Sequence, residues 1–197
     1  VGCYESTRSQ AESGNTVIYV SLDGDDLFGS GEIDNPFKSI YMGIRATYPE
    51  WSDTVRVASG MYNEDDFINF RGRKVYIQSE NGSEETVVIF PGYLGFTNEN
   101  ISYTSSINNG LYTNTINGFD IRINNSTDYG IYMYDEPIHF IDVIIEDEIY
   151  SEKTGFNIDG LKSYTNEGFS SGLIRLYNQN NNEDFTYNFN NLDIIAN

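Results

Sequence analysis

Asp120, Asp142, Lys162 and Asp193 each follow the first apolar residue of a strand-like run, and their spacing is what would gather chemistry onto one surface. Phe119-Asp120-Ile121-Arg122-Ile123 lies over Ile141-Asp142-Val143-Ile144-Ile145 at an offset of 22 residues; Leu161-Lys162-Ser163-Tyr164 follows after 20 more and Leu192-Asp193-Ile194-Ile195 after 31. If these runs are strands stacked on one another, the alternation sends Phe119, Ile141, Leu161 and Leu192 inward. Asp120, Asp142, Lys162 and Asp193 then form an outer column, with Arg122 and Tyr164 two places on. Two carboxylates one level apart, Asp120 and Asp142, could share a Ca2+ with solvent and substrate oxygens. Lys162 or Arg122 beside them could then take a proton α to a carboxylate that the metal neutralises. In a hydrolase the same two aspartates would be acid and base, once neighbours had separated their pKa values. The plainer reading is a solvated sheet face whose opposite charges pair weakly, because alternation alone produces such columns in any stacked sheet.

Other residues invite a functional reading. There are 16 tyrosines. Tyr132, Tyr134 and Tyr164 are the candidates for platforms that stack on sugar rings; the competing role is amphipathic cover for a wide, half-buried sheet. His139, the single histidine, stands between Ile138 and Phe140 and reads as a packed or surface residue rather than a general base. Asp23-Gly24-Asp25-Asp26 has the composition of a calcium loop but lacks the glutamate of the helix-loop-helix pattern, and turn chemistry alone explains Asp and Gly there. Arg71, Arg73 and Lys74 form a basic cluster expected in a turn.

The elements that must position these residues are short and repetitive. Val17-Ile18-Tyr19-Val20 is a β-branched run closed by the polar Ser21–Asp26 segment. Asn35-Pro36-Phe37 supplies a turn, and the apolar spacing of Ile40–Ala46 predicts a short helix beginning near Pro36 that caps the open end of the strand stack. Val55-Arg56-Val57 and Val75-Tyr76-Ile77 then recur 20 residues apart. A repeat of that length is a solenoid signature: each coil buries alternate side chains in a tube and pairs with the coils above and below at about 4.8 Å. Asn124, Asn125, Asn166, Asn190 and Asn191 follow strands, where Asn suits turns that use the left-handed region.

IYVSLDGDDLFGSGEIDNPFKSIYMGIRA, then DTVRVASGMYNE, then INFRGRKVYIQSENGSEETVVI, resembles the opening of bacterial right-handed parallel β-helix proteins of the pectate-lyase-like superfamily. The resemblance covers about residues 17 to 90. It implies an all-β, right-handed parallel β-helix with a short N-terminal capping helix, of about six to seven coils. It further implies that any groove runs over an outer sheet face, and it makes a calcium-assisted polysaccharide lyase, or a related carbohydrate-active enzyme, the catalytic alternative. This opening is shared by enzymes and by proteins without known activity, so the leading expectation is a non-catalytic exported β-helix that contacts glycans or other surface polymers, with a structural stalk or adhesin segment as a third class.

Composition narrows the partners. A chain of 197 residues with 39% hydrophobic and 15% aromatic content can build one sizeable core. Its 30 acidic residues against 11 basic ones give a net charge of -19, which repels phosphate backbones and argues against nucleic acid. One cysteine, Cys3, rules out an intramolecular disulfide, and no apolar run approaches the ~20 residues of a membrane span. Val1-Gly2-Cys3 resembles the end of a bacterial lipoprotein signal, which implies a lipid at Cys3, a polar tether over residues 1–16 and a cell-surface location, with the membrane touched only through that lipid. The β-helix domain is expected over 17–197, as a monomer. The strand-like end at Leu192–Asn197 carries the expectation that it continues in a longer protein.

Overall fold

A computed structural model describes residues 16–48, 52–65, 68–70, 73–91, 96–97, 114–123, 131–134, 138–145, 149–152, 156–165, 174–177 and 187–196. Strand β1 (Val17–Val20) is followed by helix α1 (Ile40–Arg45) and by β2 (Ser52–Val57), β3 (Gly60–Asn63), β4 (Ile68–Asn69), β5 (Lys74–Ser79), β6 (Thr86–Phe90) and β7 (Phe96–Thr97). Then come β8 (Asn114–Asn117), β9 (Asp120–Ile123), β10 (Ile131–Tyr134), β11 (Ile138–Ile145), β12 (Ile149–Glu152), β13 (Phe156–Thr165), β14 (Ile174–Tyr177) and β15 (Tyr187–Ala196). Among the described residues the protein is all-β apart from α1, and every strand pair is parallel.

Ten strands form one sheet curled into a half-barrel, with smaller sheets β10-β12-β14 and β4-β7. The curl comes from a corner that is open in the early levels and closes in the later ones. Turns separate β2 from β3, β5 from β6 and β8 from β9, so the early levels build two arms, β1-β2-β5-β8 and β3-β6-β9. In β11 the corner has shrunk to one residue, Asp142, and this single strand pairs with β8 through its first half and β9 through its second. β13 and β15 continue as unbroken strands.

The corner is a column of residues suited to the left-handed region. Gly82 has φ 90°, Gly118 has φ 78° and Asp142 has φ 46°. The register places Gly160 of β13 and Asn191 of β15 on the next two levels. Gly, Asn and Asp are the types that visit this region at least cost. At Gly118 a side chain has no room either: a Cβ there would come within 3.1 Å of the Gly82 Cα.

The core lies in the concavity. Ile18, Val55, Ile77, Ile116 and Phe140 occupy one column on successive levels, and Tyr62, Val88, Ile121 and Ile145 the facing one, all nearly or completely buried. Each such side chain contributes about 1.5–3 kcal/mol by leaving water. α1 lies over the first level. Gly43 permits that contact, because a Cβ would meet Val20 Cγ2 at 2.6 Å and Val55 Cγ1 at 2.9 Å.

The expected alternation is present, and the expected helix begins at Ile40, behind Ser39 as its N-cap, rather than near Pro36; the coil offsets differ. Val55 pairs with Ile77, 22 residues on, so Val75 stands against Asp53 rather than Val55. Asp120 pairs with Ile144, and Val143 with Leu161, offsets of 24 and 18 against the anticipated 22 and 20. Leu161 does pair with Leu192. The errors are even numbers, so they preserve which face most residues occupy. Ile141 is the exception. Expected inward, it is half-buried beside the corner, because the left-handed turn at Asp142 resets the alternation from Ile138 and Phe140 to Val143 and Ile145.

Candidate functional site

Most well-placed carboxylates in this fold are spent on holding its cap. The helix α1 leaves its first amides without intrahelical partners, and at the core these must be satisfied. Asp26 Oδ1 accepts from the amides of Lys38 (2.8 Å) and Ser39 (2.9 Å). Buried Glu64 accepts from Ile40 through Oε1 (2.8 Å) and from Tyr41 through Oε2 (3.3 Å), while Ser39 Oγ accepts from Met42. Burial raises the Glu64 pKa above its ordinary 4.5, opposed by the two amide bonds. Asp53, fully buried, accepts from Thr16 N (3.0 Å) and Tyr48 N (2.8 Å). It clips the start of β1 and the end of the helical excursion onto β2. Thr16 therefore belongs to the folded unit, while residues 1–15 with Cys3 lie outside the described residues.

The Asp23–Asp26 loop is likewise structural. Asp25 Oδ1 accepts from Leu27 (2.7 Å) and Phe28 (3.0 Å), and these bonds, that to Phe28 foremost, lower its pKa. Among the described residues no group of three or more His, Cys, Asp or Glu could hold a metal ion. Tyr62 buries its hydroxyl against the Ala58 carbonyl at 2.8 Å. Burial, with the nearby Glu80, pushes its pKa up to about 12, so it serves as a fixed donor rather than a base.

The outer column is separated by the corner. Asp120 stands between Val87 and Ile144, and the ladder continues from Ile144 through Lys162 to Asp193. Asp142 is absent from it: exposed at the corner, its Oδ2 would lie 3.7 Å from a Cβ on Gly82. Asp120 is 5% exposed, and its Oδ2 accepts from Arg122 Nε (3.1 Å) and Nη2 (2.5 Å). Its Oδ1 is buried and, among the described residues, has no hydrogen-bond partner. A guanidinium already occupies the cation position at Asp120, and Asp142 is not opposite it, so the two do not fit a shared Ca2+. Ile144, next in the ladder, is 7% exposed, which makes this part of the column a covered surface rather than a solvated groove. His139 is half-buried on the outer side of β11 between buried Ile138 and Phe140. Arg73 donates to the Thr47 carbonyl at 3.5 Å, and Arg71 lies outside the described residues.

The tyrosine candidates gather on a different sheet. In β10-β12-β14, Tyr132 pairs with Tyr150 and then Arg175, and Tyr134 pairs with Glu152 and then Tyr177. Two neighbouring ladders thus carry four tyrosines, an arginine and a glutamate over three levels at about 4.8 Å. Tyr164 is on β13 of the large sheet, paired with Ile195, and does not join them. Tyr150 and Arg175 escaped notice in the sequence because they recur at offsets of 18 and 25 residues, which no single period links.

Compared with protein families, curated proteins and solved structures, the chain matches none. Among the described residues no helix is long and apolar enough to cross a membrane.

Proposed function

We propose that this chain is a right-handed parallel β-helix of the pectate-lyase-like kind, exported to the cell surface, and that it binds glycans without transforming them. The stacking of parallel strands with buried alternate residues supports the fold. The single observation that carries the function is the double ladder Tyr132-Tyr150-Arg175 and Tyr134-Glu152-Tyr177. The register repeats tyrosine, the residue type that stacks on sugar rings, at the coil spacing, with arginine and glutamate, types that bond sugar hydroxyls, in the same ladders. The net charge of -19 favours neutral over polyanionic glycans. Affinity electrophoresis through gels containing a neutral polysaccharide, alginate or pectate measures this. Retardation in the neutral gel, lost in Tyr132→Ala/Tyr134→Ala, is the expected result; equal migration of parent and variant in every gel would remove the glycan reading.

The catalytic alternative draws on Asp120, whose buried Oδ1 lacks a partner among the described residues and stands beside Arg122. It has Arg122 and Lys162 as candidate bases, but not the paired aspartates that a calcium-assisted elimination requires. Incubation with pectate, alginate and a glycosaminoglycan in Ca2+ should therefore give no ultraviolet absorbance from unsaturated uronate. Turnover that disappears in Lys162→Ala would reverse the order of the two readings.

A further inference from the structure

Leu27, Phe28 and Ile33 are 71%, 80% and 73% exposed, unusual for large apolar side chains in so acidic a protein. The loop that displays them is tightly built. Asp25 accepts from the Leu27 and Phe28 amides, Asn35 Nδ2 donates to the Phe28 carbonyl at 3.1 Å, and Glu32 and Asn35 pair around Ile33. A preorganised loop presents its apolar tips without further loss of backbone freedom. Its place in the fold is informative. Tyr19 N donates to Gly31 O and Phe37 N to Tyr19 O, so residues 31–37 lie along the free edge of β1, at the end of the stack where the chain enters the domain. Cys3 precedes Thr16 by 13 residues, at most ~45 Å of extended chain.

We propose that this loop is a membrane-docking surface, in which Leu27, Phe28 and Ile33 enter the interface of a lipid bilayer and seat the capped end of the domain on it. The proposal rests on the reading of Cys3 as the anchor. A lipid at Cys3 would hold this end of the domain within that reach of a bilayer, and a second, apolar contact would fix how the domain sits on it. Asp23, Glu32 and Asp34 are exposed around the tips, which selects a zwitterionic over an anionic surface.

Because Cys3 is the sole cysteine, a single-chain lipid maleimide can be coupled there, which makes the test independent of lipidation in cells. The coupled protein is mixed with vesicles of phosphatidylcholine, alone or with phosphatidylglycerol, and its partitioning is measured by sedimentation. Leu27→Ser/Phe28→Ser/Ile33→Ser should lower partitioning onto phosphatidylcholine by at least about tenfold while leaving the far-ultraviolet dichroism unchanged. The anionic lipid should weaken binding of the parent. Equal partitioning of parent and triple variant would overturn the proposal, as would a concentration-dependent dimer of the uncoupled parent that the triple variant abolishes, since the tips would then be a self-association surface. Retention at the membrane of a Cys3→Ser protein in cells would remove the anchor reading alone.

Discussion

Glu64→Ala is expected to lower the unfolding free energy by about 3 kcal/mol, because it strands two helix amides where water does not replace the lost acceptor. Ile40 is fully buried and its amide points at Glu64 Oε1, so that donor bears the full cost of desolvation. Tyr41 loses a longer bond at 3.3 Å. Loss of an exposed cap typically costs about 1 kcal/mol, and burial accounts for the larger figure. Urea unfolding followed by circular dichroism provides the measurement. The same carboxylate gives stability a pH dependence of definite sign. Its pKa is higher in the folded protein than its ordinary 4.5, so the native state holds this proton more tightly. Its contribution to stability is therefore fully present below pH 4.5 and is lost as pH rises through the elevated folded value. Glu64→Gln removes that titration, so the stability of the parent minus that of Glu64→Gln should fall as pH rises through this window. An opposite slope would mean that the two amide bonds outweigh burial.

The second large effect is at the corner. Gly118→Ala should cost about 3 kcal/mol. A non-glycine residue in the left-handed region loses about 1–2 kcal/mol, and the new Cβ meets backbone, the Gly82 Cα at 3.1 Å, with the Ser79 Cβ at 3.3 Å. Neither neighbour can rotate away. Asp142→Gly is the counterpart. It relieves a non-glycine residue at φ 46° and should change stability by no more than about 1 kcal/mol. Thermal unfolding of the two variants beside the parent separates corner geometry from general sensitivity to substitution. Similar losses in both would mean that the corner column does not organise the fold.

The sequence announced strands through β-branched alternation, and the helix through the spacing of Ile40 and Ile44, although Pro36 suggested a start four residues too early. It did not reveal the levels at which strands meet. Insertions between strands carry no periodic signal, so the offsets of 22, 39, 24, 18 and 31 between successive levels obscure any fixed repeat. Alternation fixes the face and leaves the register free by two. That freedom is what put Asp142 opposite Asp120 on paper and moved it to the corner in the fold. Glu64 and Asp53 were visible only as members of a resembling motif, since a carboxylate reads as surface until the amides it satisfies are located. The tyrosine ladder was half legible, through Tyr132 and Tyr134, because its other members depend on insertions of unequal length.

Register is the claim on which the corner, the separated aspartates and the tyrosine ladder all depend, and disulfide formation tests it directly. In a Cys3→Ser background, Arg56→Cys/Gln78→Cys places the two cysteines on directly paired residues of β2 and β5. Arg56→Cys/Tyr76→Cys matches the 20-residue spacing seen in the sequence. Paired residues on neighbouring parallel strands are about 4.8 Å apart, within disulfide range, whereas a slip of two residues takes the Cα separation to about 8 Å, beyond it. The account predicts rapid oxidation of the first pair with the fold retained, and none of the second in the native state. Efficient closure of Arg56→Cys/Tyr76→Cys with failure of Arg56→Cys/Gln78→Cys would contradict it.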